Sequence, residues 1–259
     1  MKKLTIIFSI ILLFTFSSIA QNNKTKPQNS DNQKEKSTKL PTAQEILDKY
    51  VEALGGKEAI LKIKTRISKA DVEISPMGIK GTLEIYMLAP DKAYAKLSLQ
   101  GIGDTIEGCD GTIAWTIDPL MGNRKKEGDE LLQAKSKAMM NRAVEIKNIY
   151  SNFEVKGTDK IDSNEVYVVK ATLGTSPVTF YFDIKTGLLL AHDTIMATPQ
   201  GKTPVKTIIS DWRNLDGVKT PFQIKEIYPQ FQVLLKFTSI EVNKEIDPKL
   251  FEAPEWARK

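Results

Sequence analysis

Across residues 69–100, apolar and polar positions alternate with period two. Ala70, Val72 and Ile74 alternate with Lys69, Asp71 and Glu73. Leu83, Ile85 and Met87 alternate with Thr82, Glu84 and Tyr86, and Ala93, Ala95, Leu97 and Leu99 with Tyr94, Lys96, Ser98 and Gln100. Period two sends the two sets to opposite faces of a strand, so the pattern predicts antiparallel strands with one apolar and one solvated face. Turn signals at Ser75-Pro76-Met77-Gly78 and Ala89-Pro90-Asp91 separate these strands. Ile113, Trp115 and Ile117 resume the alternation between turns at Asp110-Gly111 and Asp118-Pro119. Further strands are predicted near 153–157, 165–172, 177–184, 188–197, 203–211, 221–228 and 231–241, with hairpin turns at Asp183–Gly187 and Pro199-Gln200-Gly201-Lys202.

Two regions break the period. Thr42-Ala43-Gln44-Glu45 has the form of a capping box, in which the Thr42 hydroxyl accepts from the Glu45 backbone and Glu45 reaches back to the cap. Ile46, Leu47, Tyr50, Val51 and Leu54 follow at helical spacing, Gly55-Gly56 stops the helix, and a second short helix is predicted over about 57–63. A longer helical stretch is predicted over about 127–148, where Leu131, Leu132, Ala138, Met139, Arg142, Ala143 and Ile146 form a broken apolar face. The expected fold class is therefore α+β, with one wide antiparallel sheet of roughly ten strands. Such a sheet curls, and the two helical regions are its available cover.

Composition changes the picture mainly at the N-terminus. Lys2 and Lys3 precede the uncharged, mostly apolar run Leu4–Phe16, and Ser18-Ile19-Ala20 supplies the small residues of a cleavage site. The run is short for a bilayer span, so residues 1–20 are expected to be a cleaved signal peptide rather than an uncleaved anchor. No cysteine lies near the cleavage site to carry a lipid anchor. A soluble, exported, periplasmic protein is expected. Residues 21–40 are polar almost throughout and are expected to form a disordered linker, leaving 41–259 as one domain. The formal net charge of +5 arises in the leader and the linker, and 41–259 carries as many acidic as basic residues. The basic pI thus gives no argument for a nucleic-acid partner.

Candidate chemistry is sparse. The one histidine, His192, and one cysteine, Cys109, fall short of a zinc ligand set. His192 is expected to be a sheet residue rather than a base, and Cys109 a small buried hydrophobe. Asp104, Glu107 and Asp110 lack the alternating oxygens of a calcium loop and are expected at turns and edges. Tyr94 and Trp212 could stack nucleic-acid bases, but a neutral domain offers no net charge for a basic groove, and packing is their expected role. No cofactor, metal or catalytic residue is expected.

The run Asp110-Gly111-x-x-x-Trp115-x-x-Asp118-Pro119 resembles a segment of the LolA/LolB-like family, in particular its outer membrane lipoprotein-sorting branch. Residues 41–60, 181–190, 211–224 and 237–254 resemble the same branch in the same order. The resemblance implies an open half-barrel with helices over its concave face, and an activity of binding the acyl chains of lipids or lipoproteins without catalysis. It further implies a cavity lined by Leu83, Ile85, Met87, Leu97, Leu99, Ile113, Trp115 and Ile117, closed over by Met139, Met140 and Val144. The family's carriers place an arginine just before the proline that ends the second strand, whereas this chain has Ala89 before Pro90. An alternative function is an envelope sensor or interaction module on the same half-barrel, partnered by an envelope membrane protein. A hydrolase is the third alternative.

Overall fold

The computed structural model describes residues 39–258; the expected signal peptide and nearly all of the expected linker lie outside the described residues. Residues from Pro41 onward form one unit. Its strands, in chain order, are β1 Thr65–Ser75, β2 Ile79–Leu88, β3 Lys92–Leu99, β4 Gly103–Cys109, β5 Ala114–Ile117, β6 Arg124–Lys125, β7 Ser151–Ile161, β8 Asn164–Leu173, β9 Ser176–Asp183, β10 Leu189–Thr198, β11 Gly201–Leu215, β12 Val218–Ile227 and β13 Gln232–Val242. All pair antiparallel in a single thirteen-stranded sheet of order β6-β5-β4-β3-β2-β1-β13-β12-β11-β10-β9-β8-β7. The sheet is not closed into a barrel: β6 and β7 are its two edges. Every neighbouring pair except β1–β13 is consecutive in sequence, so most of the sheet is a meander of hairpins. At the β11–β12 turn, Asp216 (φ 49°) and Gly217 (φ 85°) both take left-handed backbone, which is the Asp-Gly hairpin geometry.

Among the described residues, four helices interrupt or precede the sheet: α1 Ala43–Ala53, α2 Lys57–Lys62, α3 Gly128–Ala138 and α4 Ile146–Ile149. A short 3-10 turn, Pro248–Phe251, and α5, Glu255–Arg258, end the chain. The capping box at Thr42 forms as expected, with both the Thr42 hydroxyl and the Glu45 carboxylate engaged. The helical stretch expected over 127–148 is divided. Met139 adopts extended backbone, and the Met140 N–H bonds to the Pro90 carbonyl instead of continuing the helix. Segment 139–145 is thereby tied to the β2–β3 turn.

Register divides the sheet into two faces. One carries Arg66, Ser68, Ala70 and Val72 of β1, aligned with Met87, Ile85, Leu83 and Gly81 of β2 and then with Ala93, Ala95, Leu97 and Leu99 of β3. Across β13 and β12 the same face carries Leu235 and Ile224, and then Ile209 of β11. This inner face meets the helices. Ile46 and Leu47 of α1 and Ile146 of α4 pack with Val169, Phe180, Phe182 and Ile209. Leu54 and Ile60 pack with Val218 and Val242, and Ala138 of α3 packs with Cys109 and Ala114.

The curl of the sheet follows from α3. This eleven-residue helix, about 16 Å long, touches β4 and β5 at one side and β10 at the other. In a flat sheet β4 and β10, seven strand positions apart, would be separated by about 34 Å. The sheet must bend around its inner face for one short helix to reach both. Gln133 makes the far contact: its amide donates to the Ile195 carbonyl and accepts from the Ala197 N–H. These β10 groups lie beyond the end of the β9 pairing, so the side chain satisfies a strand edge that would otherwise be open.

Candidate functional site

The bend gives the inner face a concave side, here called the hollow, that is covered unevenly. On the β7–β11 side the inner face is filled by α1 and α4, and Val169, Phe180 and Phe182 are buried. On the β1–β3 and β12–β13 side, Leu83, Ile85, Leu97, Leu99, Ile224, Val233 and Leu235 stay half-buried. Here apolar side chains point toward the concave side of a bent sheet without being fully covered. That is the arrangement a guest acyl chain needs and a filled core lacks.

The eleven expected lining residues separate into three groups. Leu83, Ile85, Met87, Leu97 and Leu99 share the inner face, Met87 being fully buried. Met140 and Val144 pack against Leu54, Ile60, Ile63, Val218 and Val242 over the β1-start end of that face, and Met139 is half-buried at the end of α3. Trp115 and Ile117 are not with them. Trp115 pairs with Gly108, which pairs with Tyr94 and then Tyr86, and this register is the outer face. There Trp115 is buried with Ala253 and Ala257 of the C-terminal tail, flanked by Ile113 and Ile117. The expectation that Ile113, Trp115 and Ile117 line the hollow is corrected accordingly. The physical reason is parity: Ala114 and Thr116, the small residues between them, take the inner positions opposite Cys109 and Glu107. Gly108 makes room for the indole, since a Cβ at that position would lie 2.1 Å from its ring.

Charged groups also enter the hollow. Glu107 faces inward from β4 and accepts a 2.8 Å hydrogen bond from Lys126. Desolvation opposes its ionisation, but Lys126 and Lys137 outweigh that and hold the carboxyl below its usual range. Across the concave side, the Tyr228 hydroxyl donates to Glu226 at 2.8 Å. Burial, Glu226 and the field of Glu107 together push the Tyr228 pKa up. Arg66, on the inner face of β1, donates to the Met87 thioether at 2.8 Å, and its buried Nε has no partner. Desolvation and the nearby Arg142 guanidinium lower its pKa to about 10. His192 lies on the inner face of β10 beside Phe180, and burial and then Arg142 push its pKa down to about 4, leaving it neutral at pH 7. Burial likewise raises Tyr50 to about 12, with Arg142 opposing.

Sequence reasoning did not select Arg66 or Arg142. The signal was present: each is a charged residue in an apolar series, Arg66 in step with Ala70 and Val72, and Arg142 within the apolar stripe of 131–146. A surface concavity of about 670 Å³ is set mainly by outer-face residues of mixed sign, including Asp71, Glu73, Lys80 and Lys236. It is a solvated saddle and is not the candidate site. Among the described residues no group of His, Cys, Asp and Glu is placed to hold a metal ion, and no helix is long and apolar enough to cross a membrane.

No family model matches this sequence, and no curated protein matches it. Solved structures do. A LolA superfamily protein from Nitrosomonas europaea aligns over 83% of this chain and 99% of its own, with TM-score 0.55 and 13% identity. A DUF1329 family protein from Desulfovibrio piger aligns over 82% and 98%, with TM-score 0.55 and 13% identity. A domain assigned to outer membrane lipoprotein sorting, from Vibrio parahaemolyticus, aligns over 81% and 97%, with TM-score 0.55 and 9% identity. The described domain has the LolA-like fold.

Proposed function

We propose that this protein is an exported, periplasmic, non-catalytic carrier that shelters the acyl chains of a lipid or lipoprotein in the hollow of its sheet. The observation that carries the reading is the row of half-buried apolar side chains, Leu83, Leu97, Leu99, Ile224 and Leu235, on the concave side of a bent sheet. The energetics suit the role. Burying hydrocarbon is worth about 0.8 kcal/mol per methylene, on the order of 10 kcal/mol gross for one long chain. A carrier must offer comparable shelter or the lipid stays in its membrane. Gln133, which fastens α3 across the bend, and segment 139–145, with adaptable Met139 and Met140, supply the cover. The LolA-like fold of the domain supports the same reading.

The test is extraction and transfer. The protein is incubated with vesicles containing radiolabelled phospholipid or a lipidated peptide, separated, and offered to acceptor vesicles. The expected result is a soluble complex near one lipidated molecule per protein, followed by transfer. No acylated species in the soluble fraction would refute the reading.

A further inference from the structure

Arg66 and Arg142 are the unexplained charges of the hollow. Met140, Ala143 and Val144, which flank Arg142, pack against the cluster that contains Val242, the residue paired with Arg66 in the sheet, and the charge of Arg142 weakens the hold of Arg66 on its proton. Among the described residues neither forms an ion pair. Nearby carboxylates are engaged elsewhere: Glu107 with Lys126, Glu226 with Tyr228, and Glu145 of the covering segment with Asn148. Arg66 spends its bonding on a thioether, a weak acceptor, and leaves its buried Nε empty. Nearby, the buried Asn141 Oδ1 in the covering segment has no partner either. Two like charges on a partly desolvated surface repel, and a buried guanidinium without a counter-ion is costly. His192, neutral at pH 7, adds no charge to this field.

An anion between the guanidiniums would remove both penalties. Planar guanidinium forks match carboxylate and phosphate oxygens. From this charged end the inner face continues along β2 and β3 through Met87 and Ala93, then Ile85 and Ala95, to the apolar row Leu83, Leu97 and Leu99. We propose that Arg66 and Arg142 bind the negatively charged headgroup, carboxylate or phosphate, of an amphiphile whose tail lies along this row. The inference rests on the acyl-chain reading above and specifies which amphiphiles that site prefers.

Displacement of the neutral apolar dye N-phenyl-1-naphthylamine tests it with three ligands sharing one tail: laurate, dodecyl phosphate and dodecanol. Inorganic phosphate is the tail-free control. The protein is compared with Arg66→Gln and Arg142→Gln. The expected result is displacement by laurate or dodecyl phosphate at about tenfold lower concentration than by dodecanol. The better of the two anions identifies the headgroup chemistry. Each variant should lose that preference while binding dodecanol as before, which also shows that it is folded. Equal displacement by all three ligands in protein and variants overturns the headgroup proposal and leaves acyl-chain binding intact. Thermal stabilisation by inorganic phosphate with no advantage for the alkyl anions also overturns it, because the anion site would then be separate from the tail. Failure of every alkyl ligand to displace the dye or raise the melting temperature counts against the acyl-chain reading itself.

Discussion

Trp115 separates a packing role from a binding role, because the structure removes it from the hollow. Its side chain is 2% exposed, set against Gly108, Ala253 and Ala257 on the outer face. Trp115→Ala would lose the transfer energy of the indole and leave a cavity beneath the C-terminal tail, a cost of about 3–5 kcal/mol. With a urea m-value of about 3 kcal/mol/M, the unfolding midpoint falls by about 1–1.7 M. Acyl-chain affinity, measured at a temperature where the variant is folded, stays within about twofold of the parent. Gly108→Ala provides a second arm. Its Cβ would fall 2.1 Å from the indole, so it costs about 1–3 kcal/mol by overcrowding. In the Trp115→Ala background that cost nearly disappears, and the double-mutant cycle shows coupling of similar size. Additive costs would refute the contact. A large loss of lipid binding from Trp115→Ala, with the midpoint unchanged, would refute the assignment of faces.

Other perturbations probe the hollow, the lid and the buried histidine. Leu97→Glu puts a charge on the half-buried apolar row; acyl-chain affinity measured by dye displacement should fall at least tenfold, with a stability loss near 1 kcal/mol. Gln133→Ala removes both bonds to the β10 edge; exchange of the Ala197 amide, followed by hydrogen–deuterium exchange, should quicken by about tenfold, and global stability should fall by about 1–2 kcal/mol. His192 has a folded pKa near 4, below its unfolded value near 6.5. The unfolded chain therefore binds the proton more readily. Its contribution is complete above about pH 6.5 and is lost as pH falls through that window toward 4, on the order of 3 kcal/mol. Urea unfolding at pH 4.5 and 7 should show this dependence, and His192→Phe should reduce it.

Most of the sheet was legible because period-two patterning is a local property. Leu83, Ile85 and Met87 face Leu97, Ala95 and Ala93 as their alternation implied, and the Thr42 capping box was readable from four residues. Two short strands escaped, as did the closing 3-10 turn and α5. β4 carries Asp104 and Glu107 on a Gly-flanked run that reads as a turn, and β6 is only Arg124–Lys125, too short for any period. The break of 127–148 at Met139 depends on a bond to Pro90, about fifty residues away in sequence, and no local pattern encodes it. The face of Trp115 was misread for a related reason. Alternation gives two faces but does not say which is inner when the C-terminal tail, Ala253 and Ala257, offers apolar cover outside. Arg66 and Arg142 were visible as charges within otherwise apolar series, yet no local pattern relates one to the other.

The claim on which function depends is that the hollow, and not the outer face, admits an acyl chain. A crystal of the protein grown with a bromine-labelled fatty acid tests this directly, since anomalous scattering locates the bromine independently of phases from the protein. The expected peak lies on the concave side, against Leu83, Leu97 and Leu235. A peak in the outer saddle beside Asp71 and Lys236, or none in a crystal soaked to saturation, would contradict it.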